Sequence, residues 1–273
     1  LMSSLTNNDI ILRYLTKKYD IDLISHYIPT KNIPTISWIP DFQHLYYRNF
    51  FTREEYSRRQ KLFSNFVENS KSLIVSSRDS YKTLIKKYKK KKNFYVLKFV
   101  PYIKFQDIKK FDIIKKKYNL DKNYIYIPNQ FWKHKNHSIL VTAARILKKK
   151  NIKFNFVISG NSTAGDTYDN YKSFVDKINK YKLKDYFSLL GFIPYSDVIN
   201  LIYHCKILIN PSLFEGWSTT VEEGKLLNKK MILSNIKVHK EQADGKAWFF
   251  DPHEPRELVN KILRHSSKIK KKI

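Results

Sequence analysis

Short apolar runs alternate with segments of helical period along nearly all of this chain, and few folds accept that pattern. Ten runs, at 21–25, 34–39, 72–76, 94–99, 124–128, 154–159, 187–190, 206–210, 231–234 and 247–250, have the length and the β-branched or aromatic content of buried strands. Helix signals fall between them. Thr52-Arg53-Glu54-Glu55 is a capping box at the head of a helix running to about Asn69. Residues 136–150 put Ile139, Leu140, Ala143, Ala144 and Leu147 on one face, with lysines at the C-terminal end, where the helix dipole favours them. Shorter helices are expected at 197–204, 220–227 and 254–264. Strand and helix in strict succession build parallel sheets with helices on both faces, so the expected fold class is α/β.

Residues 101–121 interrupt the alternation with a charged stretch. They read as the connection between two Rossmann-like domains, residues 1–100 and 122–265, with 266–273 a basic, solvated tail. The first block offers only four of the strand runs, few for an open sheet with covered edges. Together with a start at Leu1 before Met2, this gives the expectation of an incomplete N-terminal domain.

The composition sets bounds on function. Of 273 residues, 42% are hydrophobic and 15% aromatic, enough for a real core and too many for a disordered chain. The single cysteine, Cys205, excludes a disulfide framework and a cysteine-built zinc site, and suits a reducing compartment. No apolar run approaches the roughly 18–20 residues of a membrane span, and the start lacks a signal-peptide pattern. The expected location is cytoplasmic, with peripheral docking at the inner face of a membrane. The formal net charge of +28 favours anionic partners, whether nucleic acid, acidic lipid or phosphorylated substrate. Lysine is nevertheless spread almost evenly beside abundant Asn, Ile and Tyr, as an AT-rich coding sequence produces without functional demand. A nucleic-acid binder clusters its cations with interleaved aromatics on one face. The diffuse charge and the lack of a binding module give no specific nucleic-acid partner.

Chemistry concentrates at the ends of the expected strands. After the run 206–210 comes Pro211-Ser212-Leu213-Phe214-Glu215-Gly216-Trp217-Ser218-Thr219-Thr220-Val221-Glu222-Glu223. Two carboxylates, Glu215 and Glu223, flank a strand-to-helix turn and can grip several sugar hydroxyls. The backbone N–H groups of Gly216, Trp217, Ser218 and Thr219 precede a helix, where anions are favoured. The plainer role for Glu223 is to complete a capping box with Thr220. A second segment, Pro128-Asn129-Gln130-Phe131-Trp132-Lys133-His134-Lys135-Asn136-His137, also follows a strand and precedes a helix. Its lysines can neutralise a leaving diphosphate as point charges, although solvation is the plainer role for any one lysine in so basic a chain. A third, Trp38-Ile39-Pro40-Asp41-Phe42-Gln43-His44, offers His44 and Asp41 after a strand, with a loop histidine in a local hydrogen bond as the alternative. Asp20-Ile21-Asp22 precedes a strand instead of ending one and is set aside as a metal–diphosphate motif. Gly160-Asn161-Ser162 lacks the Lys-Ser/Thr of a phosphate loop.

The order and spacing of Asn210-Pro-Ser-Leu-Phe-Glu-Gly-Trp, Glu222-Glu223-Gly224, Met231-Ile-Leu-Ser-Asn, Val238-His239-Lys240-Glu241 and Phe250-Asp251-Pro252 resemble the donor-binding domain of the retaining glycosyltransferases of family four. The resemblance covers roughly residues 122–260. It implies the GT-B fold, two Rossmann-like domains facing a cleft, and a nucleotide-diphosphate sugar as co-substrate with no metal or organic cofactor. Carried over, Glu215 contacts the transferred sugar near the reacting centre and Glu223 binds the ribose. The backbone at 216–219 holds sugar hydroxyls and a phosphate oxygen. Lys135 matches the family's diphosphate-binding Lys. Gln130 stands where the family has Arg, leaving Lys133 or His134 to supply charge. Ser218 replaces a frequent Gly, and Thr220 a frequent Pro. His44 matches a histidine near the donor sugar. A histidine of this kind, with Glu215, completes the expected catalytic pair. Gly191-Phe192-Ile193 resembles the family's base-reading loop. The implied acceptor is a glycan or lipid-linked glycan in cell-surface polysaccharide or lipopolysaccharide synthesis, reached from an anionic membrane surface. The alternatives are a catalytically impaired GT-B remnant acting as a binding protein, or a basic nucleic-acid-binding protein.

Overall fold

A computed structural model describes residues 10–25, 29, 33–89, 93–163 and 165–266; the basic tail beyond them lies outside the described residues. The chain forms two compact units, Leu1–Phe99 and Val100–Ile273.

The first unit runs α1 (Ile10–Lys18), β1 (Ile24–Ser25), β2 (Thr35–Ile39), α2 (Gln43–Tyr46), α3 (Arg53–Asn69), β3 (Ser72–Val75), α4 (Arg78–Tyr88) and β4 (Asn93–Val96). Its strands pair in parallel in the order β1-β2-β3-β4. The capping box at α3 is formed: the Thr52 hydroxyl accepts from the Glu55 N–H at 3.2 Å, and the Glu55 carboxylate accepts from the Thr52 N–H at 3.1 Å. Phe63, Phe66 and Val67 on α3 meet Leu73 and Val75 on β3, Ile39 on β2 and Leu84 on α4 in one core.

The second unit runs α5 (Phe111–Tyr118), β5 (Tyr124–Pro128), α6 (Ser138–Lys149), β6 (Asn155–Ser159), α7 (Gly165–Lys180), β7 (Phe187–Gly191), α8 (Tyr195–His204), β8 (Ile207–Asn210), α9 (Thr219–Leu226), β9 (Met231–Ser234), α10 (Lys237–Ala243), β10 (Ala247–Phe250) and α11 (Pro255–His265). Its six parallel strands lie in the order β10-β9-β8-β5-β6-β7. Side chains alternate across the sheet. Ile125 and Ile127 pack with α6, α7 and α11 on one face; Tyr124 and Tyr126 pack with α5, α8 and α9 on the other. Burial on both faces explains why these strands are continuous apolar runs in the sequence. A fully buried side chain such as Phe156 contributes about 2–3 kcal/mol.

The stretch 101–121, read from sequence as a connection, is part of this second core. Ile103, Ile114 and Leu120 are buried with Tyr124 and Leu201. Asp197 on α8 accepts from Lys117 and from the Tyr118 hydroxyl, and the Asn200 side chain accepts from the Lys109 N–H at 2.7 Å. These bonds fasten α5 along α8.

Candidate functional site

The strand order reverses at β5, which lies between β6 and β8. Helices α6 and α7 pack on one face of the sheet, α8 and α9 on the other. Open α/β sheets bind ligands beyond the carboxyl ends of the strands at such a switch point. The segments 129–136 and 211–218 emerge there, after β5 and β8.

Asn210, the wholly buried last residue of β8, ties the two segments together. Its Nδ2 donates to the Ser218 hydroxyl at 2.9 Å. Its Oδ1 accepts from Asn129 Nδ2 at 3.3 Å and from the Ser212 hydroxyl at 2.6 Å. Asn136, in the left-handed region at φ 55°, donates its side-chain N–H groups to the carbonyls of Pro211 at 3.2 Å and Pro252 at 2.8 Å. The Leu213 N–H donates to the His134 carbonyl at 2.7 Å. Gly160, at the end of β6, completes the frame. A Cβ there would stand 2.3 Å from the Asn129 carbonyl oxygen, so only glycine lets the β5 segment lean this closely on β6.

This frame brings Lys135 Nζ to 2.6 Å from Glu215 Oε1, with side chains 17% and 7% exposed. Burial pushes the Glu215 carboxyl up, but the Lys135 charge and hydrogen bond, with His134 and His239 nearby, outweigh it and bring the pKa down to about 2. The carboxylate is therefore ionised at any working pH.

Glu223 sits on α9, buried, and accepts a hydrogen bond from the Tyr195 hydroxyl at 3.0 Å. Burial raises its pKa and the Tyr195 hydrogen bond works against the rise. The capping box expected of Thr220 and Glu223 does not form. The helix begins earlier, at Thr219 with Ser218 as N-cap, so the Glu223 carboxylate lies past the first turn and turns to Tyr195.

Ser218 stands at φ −96° and ψ 113°, a region open to any residue, so the missing glycine carries no backbone penalty. Its N–H, however, donates to Gln242 Oε1 at 2.9 Å, and its carbonyl accepts from Gln242 Nε2 at 3.0 Å. The Ser218 N–H expected for a ligand is already engaged. Of the other residues expected to line that turn, Trp217 is buried, Gly216 half-buried and Thr219 exposed.

The other expected residues fall into two groups. Gln130 and Lys133 are exposed in the β5 segment, and Gln130 Oε1 accepts from Trp132 Nε1 at 2.8 Å. His44 and Asp41 belong to the first unit. Asp41 accepts from the Gln43 N–H at 2.8 Å and from Arg59 at 3.4 Å. His44 is on α2, wholly buried among Phe51, Tyr56 and Phe63, and among the described residues neither ring nitrogen has a hydrogen-bond partner. Burial, with Arg59 and Lys87 nearby, lowers its pKa to about 4. It occupies a packing position, in contrast to the loop position expected from the sequence.

Several residues of the site had little sequence signal. Asn129, Asn210, Tyr195 and Gln242 form its polar frame, and the only hint was Asn210 closing an apolar run. Among the described residues no group of three or more His, Cys, Asp or Glu is disposed to hold a metal, and no helix is long and apolar enough to cross a membrane.

A doubly wound parallel sheet with a lysine–carboxylate pair at its switch point, in a chain that also carries a second α/β unit, fits the architecture of the GT-B glycosyltransferases. The sequence model of the family described as glycosyl transferases group 1 matches residues 108–271, more than half of the chain. The chain belongs to that family and is a glycosyltransferase. Solved structures share the fold. A glycosyltransferase from Rickettsia africae is 18% identical with a TM-score of 0.72, over 96% of this chain and 70% of its own. Sucrose-phosphate synthase from Thermosynechococcus elongatus is 15% identical with a TM-score of 0.73, over 94% of this chain and 68% of its own. The Anabaena protein HepE, solved in complex with UDP and glucose, is 15% identical with a TM-score of 0.74, over 93% of this chain and 70% of its own. At these identities the likeness is one of fold. No curated protein sequence matches the chain.

Proposed function

We propose that this protein transfers a sugar from a nucleotide-diphosphate sugar to a hydroxyl of a glycan or lipid-linked acceptor, with retention at the anomeric carbon. The observation that carries the proposal is the Lys135–Glu215 pair at the switch point, with Glu223 on the following helix. Lys135, ion-paired with a permanently ionised carboxylate, is a fixed cation for the leaving diphosphate. The N-terminus of α9 adds partial positive charge on the same side. Glu215 orients hydroxyls of the transferred sugar, and Glu223 accepts from the ribose. Gln130 and Lys133 extend the diphosphate contacts from the β5 segment. The charge is neutralised by side chains and backbone, so the scheme needs no metal or organic cofactor.

The HepE complex with UDP and glucose supports a nucleotide sugar as donor. The net charge of +28 supports an acceptor presented at an anionic membrane surface on the cytoplasmic side, as in cell-surface polysaccharide or lipopolysaccharide assembly. The test is release of nucleoside diphosphate by the purified protein from a panel of UDP-, GDP- and ADP-hexoses, with and without glycan acceptors. Glu215→Gln and Glu223→Ala are expected to lower transfer about 100-fold or more, the scale of losing a preorganised polar contact to the reacting centre. Transfer at the wild-type rate in both variants would remove the site assignment.

A further inference from the structure

Helix α10 reaches both ends of the loop that carries Glu215. At the far end, Gln242 clamps the backbone of Ser218 through its N–H and its carbonyl, and Gln242 Nε2 also donates to Glu222 Oε1 at 3.1 Å. At the near end, the Ser234 hydroxyl donates to the Ser212 carbonyl at 2.5 Å. That donation uses the only hydrogen of the hydroxyl. The His239 Nδ1 atom, 2.9 Å from the same oxygen and 3.1 Å from the Ser234 carbonyl, must therefore carry a hydrogen of its own. This fixes the tautomer: His239 is a donor at Nδ1 and a bare acceptor at Nε2. The imidazole is wholly buried, and among the described residues Nε2 has no partner. An unpaired buried acceptor is a cost to stability that a leucine of similar bulk would not carry. The return on that cost lies at Nδ1, where the ring locks Ser234 against the carbonyl of Ser212, three residues before Glu215.

We propose that α10 is the brace of the Glu215 loop, with His239 and Gln242 as positioning residues that keep the Glu215 carboxylate on Lys135. The inference rests on the reading of Glu215 given above. Neither residue touches the reacting atoms in this scheme. His239 acts through Ser234 and Ser212, and Gln242 acts through Ser218. Burial keeps the imidazole neutral, with its pKa lowered to about 4, so the brace adds no charge beside Glu215 at working pH.

The test separates positioning from packing. In His239→Leu the volume is kept and both ring nitrogens are lost. In His239→Asn the amide N–H lies near the place of Nδ1 and can donate to Ser234. The expected result for His239→Leu is a kcat for UDP-glucose turnover lowered about 10- to 100-fold, the scale of a misplacement near 1 Å. Donor KM should stay within about threefold, and the urea midpoint should stay close to that of the wild type, because removing the unpaired acceptor offsets the lost Nδ1 hydrogen bonds. His239→Asn is expected to regain most of the rate, and Gln242→Met to repeat the loss. A readout independent of turnover is the carboxyl carbon of Glu215, assigned with Glu215→Gln and followed by 13C NMR down to pH 5, above the range in which His239 itself titrates. It should show no titration in the wild type and clear titration in His239→Leu. A wild-type rate with a flat titration in His239→Leu overturns the inference, as does His239→Asn performing no better than His239→Leu. If His239→Leu does not fold, Ser234→Ala breaks the same link and leaves the ring in place; a wild-type rate there overturns the inference equally. Glu215→Gln retaining full transfer would instead remove the underlying reading of the site.

Discussion

Lys135 and Glu215 are each costly to bury alone and tolerable together. Removing the cation leaves a carboxylate that is 7% exposed without its partner, and breaking such a pair costs about 3–5 kcal/mol in a dry interior. Because the lysine side chain is 17% exposed, Lys135→Met is expected to cost toward the lower end, about 3 kcal/mol. Glu215→Gln in the same background should recover most of it. The pH dependence has a defined sign. The wild-type carboxyl titrates at about 2 against an ordinary 4.5, so the pair stabilises fully above 4.5 and that contribution is lost as pH falls toward 2. Without Lys135, burial raises the Glu215 pKa, and the variant gains relative stability on acidification. Urea unfolding at pH 7 and pH 4.5 should show the gap between the two proteins narrowing at the lower pH. His44 gives the opposite exercise. Its ring nitrogens are buried without partners among the described residues, and its pKa is lowered to about 4 from an ordinary 6.5. The unfolded chain takes up this proton first, so the contribution of the neutral ring is complete above 6.5 and is lost as pH falls through 4. His44→Leu is expected to stabilise by about 1 kcal/mol at pH 7.5, since no orphaned donor remains, and to flatten the decline toward pH 5. Urea midpoints falling in parallel for both proteins would contradict this placement.

Among the elements, the tips of β5 and β6 meet more tightly than any side chain allows, and Gly160 is the reason. In Gly160→Ala the new methyl would collide with the backbone of Asn129 and Gln130, at 2.3–2.8 Å, and backbone cannot swing aside as a side chain can. The expected cost is about 1–3 kcal/mol, typical of overpacking, with a rise in donor KM because Gln130, Lys133 and Lys135 move with the segment. Donor titration calorimetry beside urea unfolding measures both. The same elements show what the sequence exposes and what it hides. β5 and β9 match their expected limits because burial on two faces leaves unbroken apolar runs, and β10 matches as a half-buried apolar strand at the sheet edge. Only two residues of the run 21–25 form β1, where Ile21 and Leu23 remain exposed. Helix α10 was illegible: its buried face holds His239 and Gln242 beside Val238 and Ala243, so it shows no apolar stripe. Glu215 and Lys135 could be singled out because they stand in segments that follow strands and resemble the family's blocks. Asn210 and Gln242 could not, since an amide becomes a bracket only through neighbours brought in by the fold. His44 looked like a loop residue for a similar reason. The polar run Asp41-Phe42-Gln43-His44 forms the start of a short helix whose histidine turns inward.

On the scale of the molecule, the two units hold separate and unequal cores. The buried cluster of the first unit centres on Ile39, Phe63, Phe66, Leu73 and Leu84 and covers a four-stranded sheet. The second unit buries apolar clusters on both faces of a six-stranded sheet. Stability grows with the fraction of surface removed from water, and a unit of about 100 residues removes less than a larger one. Unfolding of the chain should therefore depart from a single two-state transition. The first unit is expected to melt first and with the smaller urea dependence, since the slope follows the surface exposed. The tryptophans allow a direct measurement. Trp38 is the only one in the first unit; Trp132, Trp217 and Trp248 lie in the second. Trp38→Phe should remove the early fluorescence phase and leave the late one, whereas replacing the other three should do the reverse. Raising salt screens the self-repulsion of a chain with net charge +28, so both midpoints should move upward between 20 mM and 300 mM NaCl, tested at those two concentrations. Coincident curves from Trp38 and from the second-unit tryptophans would show that the two cores unfold as one, contrary to their separation.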